Sequence, residues 1–232
     1  MSDYPGFSER LAKVRSRIAE AAERSARDAS AVTIVAVTKT HPSAAVEAVL
    51  QAGLRDVGEN RVQELESKVE EVGRAAVRWH LIGHLQRNKA KKAIELSDLI
   101  HSVDSVRLAR KLSDEAVAAD RRVEAMIQVN PSGEESKSGL EEDAVRDQIA
   151  EICGLPGLRI VGLMTMAPFT DDERVQRTVF AATRRLAESA SSVSGFEGRH
   201  LSMGMSNDFE IAVEEGSTMV RLGTVLLGER GE

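Results

Sequence analysis

Residues 32–53, VTIVAVTKTHPSAAVEAVLQAG, contain one complete strand–turn–helix pattern. The run at 32–38 is apolar and rich in β-branched residues, which predicts a buried strand. Pro42 suits the first turn of a helix, and apolar residues then recur at helical spacing until Gly53, a typical helix end. Lys39 separates the strand from the helix. The stretch therefore indicates a βα unit with a single amine at the carboxyl end of its strand.

The same alternation continues along the rest of the chain. Apolar runs predict strands at 32–38, 54–57, 78–83, 99–103, 123–129, 158–164, 199–202 and 218–222. Helical spacing predicts helices near 43–52, 60–72, 87–97, 105–119, 141–152, 172–193 and 207–215. Because parallel strands need a crossover after each one, eight such units predict a single (β/α)8 TIM barrel of the α/β class. A doubly wound open sheet is the alternative, and the count of eight strands favours closure.

One further helix is predicted before the first strand. Apolar residues recur at helical spacing over 7–26, and we assign residues 1–30 to an N-terminal helix that packs on the barrel. We find no linker, repeat or low-complexity stretch that would divide the chain. Residues 1–232 are therefore predicted to form one domain.

Composition restricts the function classes. The chain is 42% hydrophobic and 29% charged, as expected of a soluble globular protein, and its net charge of −6 at pH 7 gives no support to nucleic-acid binding. No apolar run approaches the roughly 20 residues that span a bilayer, so we expect no membrane partner. Cys153 is the only cysteine, and the first residues do not resemble a signal peptide. We predict a cytoplasmic protein in a reducing compartment.

Two interpretations of Lys39 fit its position. A lysine at a strand end is usually solvated. In a βα barrel, however, the active site lies at the carboxyl ends of the strands, where a partly desolvated lysine can lose its proton and condense with an aldehyde.

Two glycine- and hydroxyl-containing stretches follow the last two predicted strands. They are LSMGMSND (201–208) and RLGT (221–224). TIM barrels often hold a phosphate at these loops, where glycine lets the backbone approach the anion and Ser or Thr adds a donor. Ordinary loop chemistry is the alternative for either stretch alone. Together with Lys39, they suggest a ligand that carries both an aldehyde and a phosphate, namely pyridoxal 5′-phosphate (PLP).

Six motifs, in order along nearly the whole chain, resemble the pyridoxal phosphate homeostasis protein family. They are AVTKTHP (36–42), DVGENRVQE (56–64), WHLIGHLQRNK (79–89), GLMTM (162–166), LSMGMSND (201–208) and VRLGT (220–224). The resemblance implies a barrel like the N-terminal domain of alanine racemase, a fold-type III PLP barrel. It implies PLP as the cofactor, bound as a Schiff base on Lys39, and a role in intracellular PLP (vitamin B6) homeostasis.

The resemblance also implies roles for other residues. Ser206, Gly223 and Thr224 would hold the phosphate, and Arg221 would face the pyridine nitrogen. Asn60 and Met164 would line the ring pocket.

An amino-acid racemase-like enzyme is the rival function. Racemases of this fold use a lysine and an opposing tyrosine as two bases, the tyrosine coming from a second domain. Tyr4, before the barrel, is the only tyrosine, and we expect no second domain after residue 232. We therefore predict a PLP carrier with no catalytic residue, a monomer whose clients are apo-PLP enzymes. A pure interaction protein that retains PLP without using it is a third possibility.

The remaining candidates have weaker support. His80 and His84 have helical i, i+4 spacing, but they fall in a predicted strand, so we predict no metal site. His84 is expected near the cofactor, and His101 and His200 are expected to be structural. The basic cluster of residues 87–92 is either a solvated helix face or a docking site for an anion. Lys137, in a predicted loop, is either a cofactor-exchange residue or loop charge.

Overall fold

A computed structural model describes residues 4–131, 139–140 and 145–228. Eight parallel strands pair in chain order and close into a barrel, with the first strand bonded to the last. The strands are β1 (Thr33–Val37), β2 (Asp56–Glu59), β3 (Arg78–Leu81), β4 (Leu99–Val103), β5 (Val123–Gln128), β6 (Leu158–Met164), β7 (Phe196–Ser202) and β8 (Met219–Leu222). The prediction of a closed (β/α)8 barrel is confirmed.

Helices follow the strands and surround the barrel. They are α1 (Phe7–Arg24), α2 (Ala44–Gln51), α3 (Val62–Val72), α4 (Ala90–Leu96), α5 (Val106–Ala118), α6 (Val145–Cys153), α7 (Glu173–Ala190), α8 (Phe209–Glu214) and α9 (Thr224–Leu227). Single 3-10 turns occur at Ala29–Ala31 and Arg87–Lys89. Within the described ranges, no helix is both long enough and apolar enough to cross a membrane.

Apolar side chains from different strands fill part of the barrel interior. Val35, Leu99, Met126, Val161, Met164 and Met219 form one buried cluster. Two larger clusters lie between the strands and the surrounding helices. Because side chains alternate along a strand, one set of strand residues fills the barrel and the other packs against the helices.

The predicted N-terminal helix is α1, and it packs behind the last two βα units. Its apolar stripe, which includes Leu11, Val14 and Ile18, is buried against a core shared with α8 and α9. Polar contacts reinforce this packing, since Arg17 forms a two-bond ion pair with Glu210 of α8, with the closer contact at 2.7 Å. The helix therefore supports the elements that follow β7 and β8.

Candidate functional site

A cavity of about 600 Å³ opens at the carboxyl ends of the strands. The last residues of several strands, and the residues that follow them, line this cavity. The lining residues are Val37, Lys39, Asn60, Ile82, Gly83, His84, Gln128, Met166, Phe169, Met205, Ser206, Asn207, Arg221, Gly223 and Thr224. The cavity thus combines an amine, a guanidinium and several hydrogen-bonding groups with an apolar wall.

Lys39 begins the turn that follows β1, and its side chain is half-buried. The residue before it, Thr38, is fully buried and forms hydrogen bonds with one side chain of α3 and one of β2. Lys68 of α3 donates a hydrogen bond to the Thr38 carbonyl oxygen at 2.6 Å, and the Thr38 hydroxyl donates to Glu59. These contacts fix the backbone from which the Lys39 side chain leaves.

The loops after β7 and β8 meet at one side of the cavity. Gly204 has φ +96°, and a Cβ there would lie 2.6 Å from the Cβ of Ala212, so the close packing of this loop on α8 requires glycine. The Ser206 hydroxyl accepts a hydrogen bond from the Val225 N–H at 3.5 Å, which joins the two loops. Within the described chain, the backbone N–H groups of Ser206, Asn207 and Thr224 donate to no protein atom. Such free donors suit an anionic oxygen-rich group.

Arg221 lies at the cavity floor on β8 and is almost fully buried. Its guanidinium donates to the carbonyl oxygen and the hydroxyl of Ser202, both at 2.7 Å, and to the Thr165 carbonyl oxygen at 2.9 Å. Burial lowers the pKa of Arg221 to about 10, which leaves it cationic at neutral pH. The Arg221 guanidinium therefore provides a fixed hydrogen-bond donor at the cavity floor.

Six of the seven residues predicted for the site line this cavity. They are Lys39, Asn60, Ser206, Arg221, Gly223 and Thr224. Met164 does not line it, because it is the last residue of β6 and lies deeper, in the buried interior cluster. Met166 lies two residues further along the chain and reaches the cavity instead.

Sequence reasoning missed other functional candidates. Ile82 and Gln128 line the cavity, but as ordinary residues at strand ends they gave no signal. The buried ion pair of Lys68 with Glu59, 2.5 Å between Nζ and Oε1, was also missed. Lys68 follows Leu65 by three residues on the apolar face of α3, and a lysine at such a position could have pointed to a buried partner.

The two histidines at helical spacing are not a pair. His80 is fully buried on β3, whereas the His84 side chain is 63% exposed and contacts Asp104 at 3.1 Å. No group of three or more potential metal ligands occurs among the described residues. His84 does lie at the cavity rim, as expected.

The other two sequence candidates gain no support for a role in the site. In the basic cluster of residues 87–92, Lys92 pairs with Glu66 of α3 at 2.7 Å on the protein surface. Lys137 lies outside the described residues.

Comparison with known sequences connects this geometry to a family. The profile of the alanine racemase N-terminal domain matches residues 10–231. The chain is 41% identical over 224 residues to the pyridoxal phosphate homeostasis protein of Pseudomonas aeruginosa, covering 97% of this chain and 96% of that protein. It is 39% identical over 228 residues to the protein of the same name from Escherichia coli, covering 95% of each.

Solved structures agree. PipY of Synechococcus elongatus, solved with PLP bound, has a TM-score of 0.84 and 37% identity, covering 96% of this chain and all of PipY. Alanine racemase from Corynebacterium glutamicum shares 16% identity at a TM-score of 0.75, which shows a common fold; the match covers 96% of this chain and 62% of the racemase. From its full-length match to these relatives, the chain belongs to the pyridoxal phosphate homeostasis protein family, whose barrel is that of the alanine racemase N-terminal domain.

Proposed function

We propose that this protein binds PLP in the cavity, holds it as a Schiff base on Lys39, and serves in PLP homeostasis as a carrier. The observation that carries the proposal is the placement of three groups around one cavity: the Lys39 amine, the free N–H groups of the Ser206 and Thr224 loops, and the buried Arg221. PLP supplies an aldehyde that condenses reversibly with an amine, together with a phosphate and a ring nitrogen that accepts a hydrogen bond. Each of these groups has a complement in the cavity.

We assign different parts of PLP to different residues of the cavity. Ser206, Gly223 and Thr224 would hold the phosphate, and Asn60 would line the ring pocket. Arg221 is fixed at the cavity floor, because its guanidinium donates three hydrogen bonds to Ser202 of β7 and to Thr165, which follows β6. Support for these assignments comes from the lining of the cavity and from PipY, a relative solved with PLP bound.

Arg221 also suits holding the cofactor, or restricted proton transfer, better than decarboxylation or transamination. A cationic guanidinium that donates to the pyridine nitrogen disfavours ring protonation, which weakens the ring as an electron sink. Apart from Lys39 and the buried Arg221, the described lining contains one ionisable side chain, the exposed imidazole of His84. The relatives are named for homeostasis, in agreement with this role.

Lys39→Ala tests the covalent attachment. Purified protein incubated with PLP should show the visible absorption band of a Schiff base that survives gel filtration, and Lys39→Ala should abolish that band. Lys91→Ala, on the exposed face of α4, is the matched control and should keep it. A retained band in Lys39→Ala would reject the assignment.

Exchange of the amino-acid α-proton tests the absence of turnover. The PLP-loaded protein is incubated with single L-amino acids in D₂O, and deuterium at the α-carbon is followed by NMR. We expect no exchange beyond that of free PLP, since the described lining offers no second base besides the exposed rim imidazole of His84. Exchange at an enzymatic rate would support the racemase-like alternative.

We further propose that the protein is a cytoplasmic monomer that delivers PLP to apo-enzymes. In support of a monomer, the large apolar side chains strongly exposed in the described chain are few: Val117, Phe169 and Val175. Faster reactivation of an apo-enzyme by PLP-loaded protein than by the same concentration of free PLP would support delivery. Equal rates would contradict it.

A further inference from the structure

Five polar side chains form one continuous hydrogen-bonded chain through the barrel. Asp56 Oδ1 lies 2.9 Å from His80 Nε2, and His80 Nδ1 lies 2.8 Å from His101 Nε2. His101 Nδ1 lies 2.8 Å from the Ser202 hydroxyl, which accepts from Arg221 at 2.7 Å. Each link has the length of a normal hydrogen bond.

The chain crosses the molecule from one end of the barrel to the other. Asp56 begins β2 at the amino-terminal face, where its side chain is 20% exposed, and Arg221 ends at the cavity floor. His80, His101 and Ser202 are fully buried. Because His101 is on β4 and Ser202 is on β7, their contact must span the interior of the closed barrel.

With both imidazoles neutral, the Asp56 carboxylate determines the direction of every hydrogen bond, and the donation from Arg221 to Ser202 is compatible with it. A guanidinium can only donate, so the Ser202 oxygen accepts from Arg221 and its own hydrogen is free for His101 Nδ1. A neutral His101 then carries its proton on Nε2 and donates to His80 Nδ1. His80 in turn donates from Nε2 to the Asp56 carboxylate, which can only accept.

The surroundings agree with neutral imidazoles. Burial lowers the pKa of His80 and lowers the pKa of His101 well below its ordinary value. The charged neighbours act in both directions. Arg78 lies 3.9 Å from Asp56 and, like Arg221, disfavours a charged imidazole, whereas Asp56 and Asp98 favour one at His80. A protonated imidazole at either position would make His101 Nδ1–H donate to Ser202 and turn the Ser202 hydroxyl hydrogen away, so the chain would lose this polarity.

We propose that Asp56, His80, His101 and Ser202 are positioning residues that act through one polarised chain to hold Arg221 as a donor to the cavity. The polarity of the chain depends on the protein alone. Its effect on the ligand rests on the proposed function, because it concerns the ring-nitrogen side of bound PLP. No role in proton transfer to a substrate is required.

The first experiment measures the polarity without PLP. Long-range ¹H–¹⁵N NMR on histidine-labelled protein reports which ring nitrogen carries the proton, and the signals are assigned by their loss in His80→Gln and His101→Gln. Both histidines should be neutral Nε2–H tautomers throughout pH 6–8.5. An Nδ1–H tautomer, or titration of either ring in this range, would overturn the proposal.

The second experiment measures the effect on Arg221 through a buried serine. Ser202→Ala removes one link, and we expect the Kd for PLP to rise about tenfold, the size of one hydrogen bond to a charged group, with a shifted visible band. Ser97→Ala removes an equally buried hydroxyl that bonds only the Ala93 carbonyl oxygen in α4, and should change neither quantity. Unchanged Kd and band position in a folded Ser202→Ala protein would overturn the positioning role.

The two experiments separate the inference from the proposed function. If the wild-type protein fails to bind PLP, the proposed function fails, and the tautomers still decide the polarity of the chain. A purely structural role of Ser202 would lower the melting temperature while leaving the band position of bound PLP unchanged. If Ser202→Ala does not fold, the wild-type tautomers decide the proposal.

Discussion

At the scale of single residues, the ion pair next to the Lys39 turn places two ionisable side chains, Lys68 and Glu59, in the protein interior. Glu59 is fully buried, and one of its oxygens, Oε2, has no hydrogen-bond partner among the described residues. Lys68 compensates this cost by contacting the other oxygen and the Thr38 carbonyl oxygen. Burial still raises the pKa of Glu59 above its ordinary value. The pair therefore stabilises the Lys39 turn only while both partners are present.

Removing one partner of this pair should be costly. Lys68→Met leaves the Glu59 carboxyl buried without its cation, and we expect the free energy of unfolding to fall by about 3–5 kcal/mol. Urea denaturation at pH 7.5 measures it. Lys92→Met is the control, because Lys92 pairs with Glu66 at a similar distance on the surface, where solvent screens the pair, and this change should cost far less. Equal losses in the two variants would contradict the argument.

At the scale of elements, the pairing of β6 with β7 shows how the barrel accommodates an irregular strand. The register moves from Ile160 opposite Phe196 to Gly162 opposite His200, so one residue of β6 faces three of β7. The extra β7 residues form a β-bulge. A Cβ at Gly162 would lie 1.8 Å from the His200 carbonyl oxygen, which no relaxation of a flexible side chain can relieve. Glycine is therefore required by close backbone approach.

Gly162→Ala should separate these two strands. We expect a loss of at least about 2–3 kcal/mol in the free energy of unfolding, because the added methyl meets backbone in a closed barrel. Gly154→Ala provides a comparison at the end of α6, where the added Cβ would lie 3.4 Å from the Glu151 carbonyl oxygen. That variant should stay within about 0.5 kcal/mol of wild type. Thermal unfolding followed by circular dichroism decides between these outcomes.

The same bulge explains why one strand was predicted too short. The prediction placed the seventh strand at 199–202, whereas β7 begins at Phe196. Its residues Glu197, Gly198 and Arg199 are exposed, so neither alternation nor an apolar run marks them as strand. Pairing at its two ends, of Phe196 with Ile160 and of His200 with Gly162, makes this segment part of the strand, and pairing cannot be deduced from local composition.

At the scale of the whole molecule, the regular repetition of strand and helix patterns made the fold predictable. The depth at which each side chain lies in the barrel could not be predicted in the same way. Eight apolar runs with crossovers lead to a barrel, and that topology places Lys39, Arg221 and Thr224 at one end. The choice of Met164 over Met166 could not be made correctly from the sequence, since both follow the same strand periodicity. The chain of buried histidines was also invisible, because it joins residues from five different strands.

The buried histidines make the stability of the whole molecule depend on pH. Burial lowers the pKa of His80 and His101, and it lowers the pKa of His200 to about 4. In the unfolded chain each should titrate near about 6.5. Below that pH the unfolded state binds protons that the native state excludes, so stability is retained above about pH 6.5 and lost as the pH falls. Glu59 acts in the opposite direction, because its raised pKa lets the native state take up a proton.

We therefore expect the free energy of unfolding to fall between pH 7 and pH 5, by up to about 1.4 kcal/mol per pH unit for each of the fully buried His80 and His101, and by less for the half-buried His200. Urea denaturation at pH 7, 6 and 5 measures the slope. His200→Gln removes one titrating group and leaves Glu59 unchanged, so its slope should be shallower while its stability at pH 7 stays closer to that of wild type. A pH-independent wild type would contradict lowered pKa values for these imidazoles in the native barrel, and an equal slope in the variant would contradict a lowered pKa for His200.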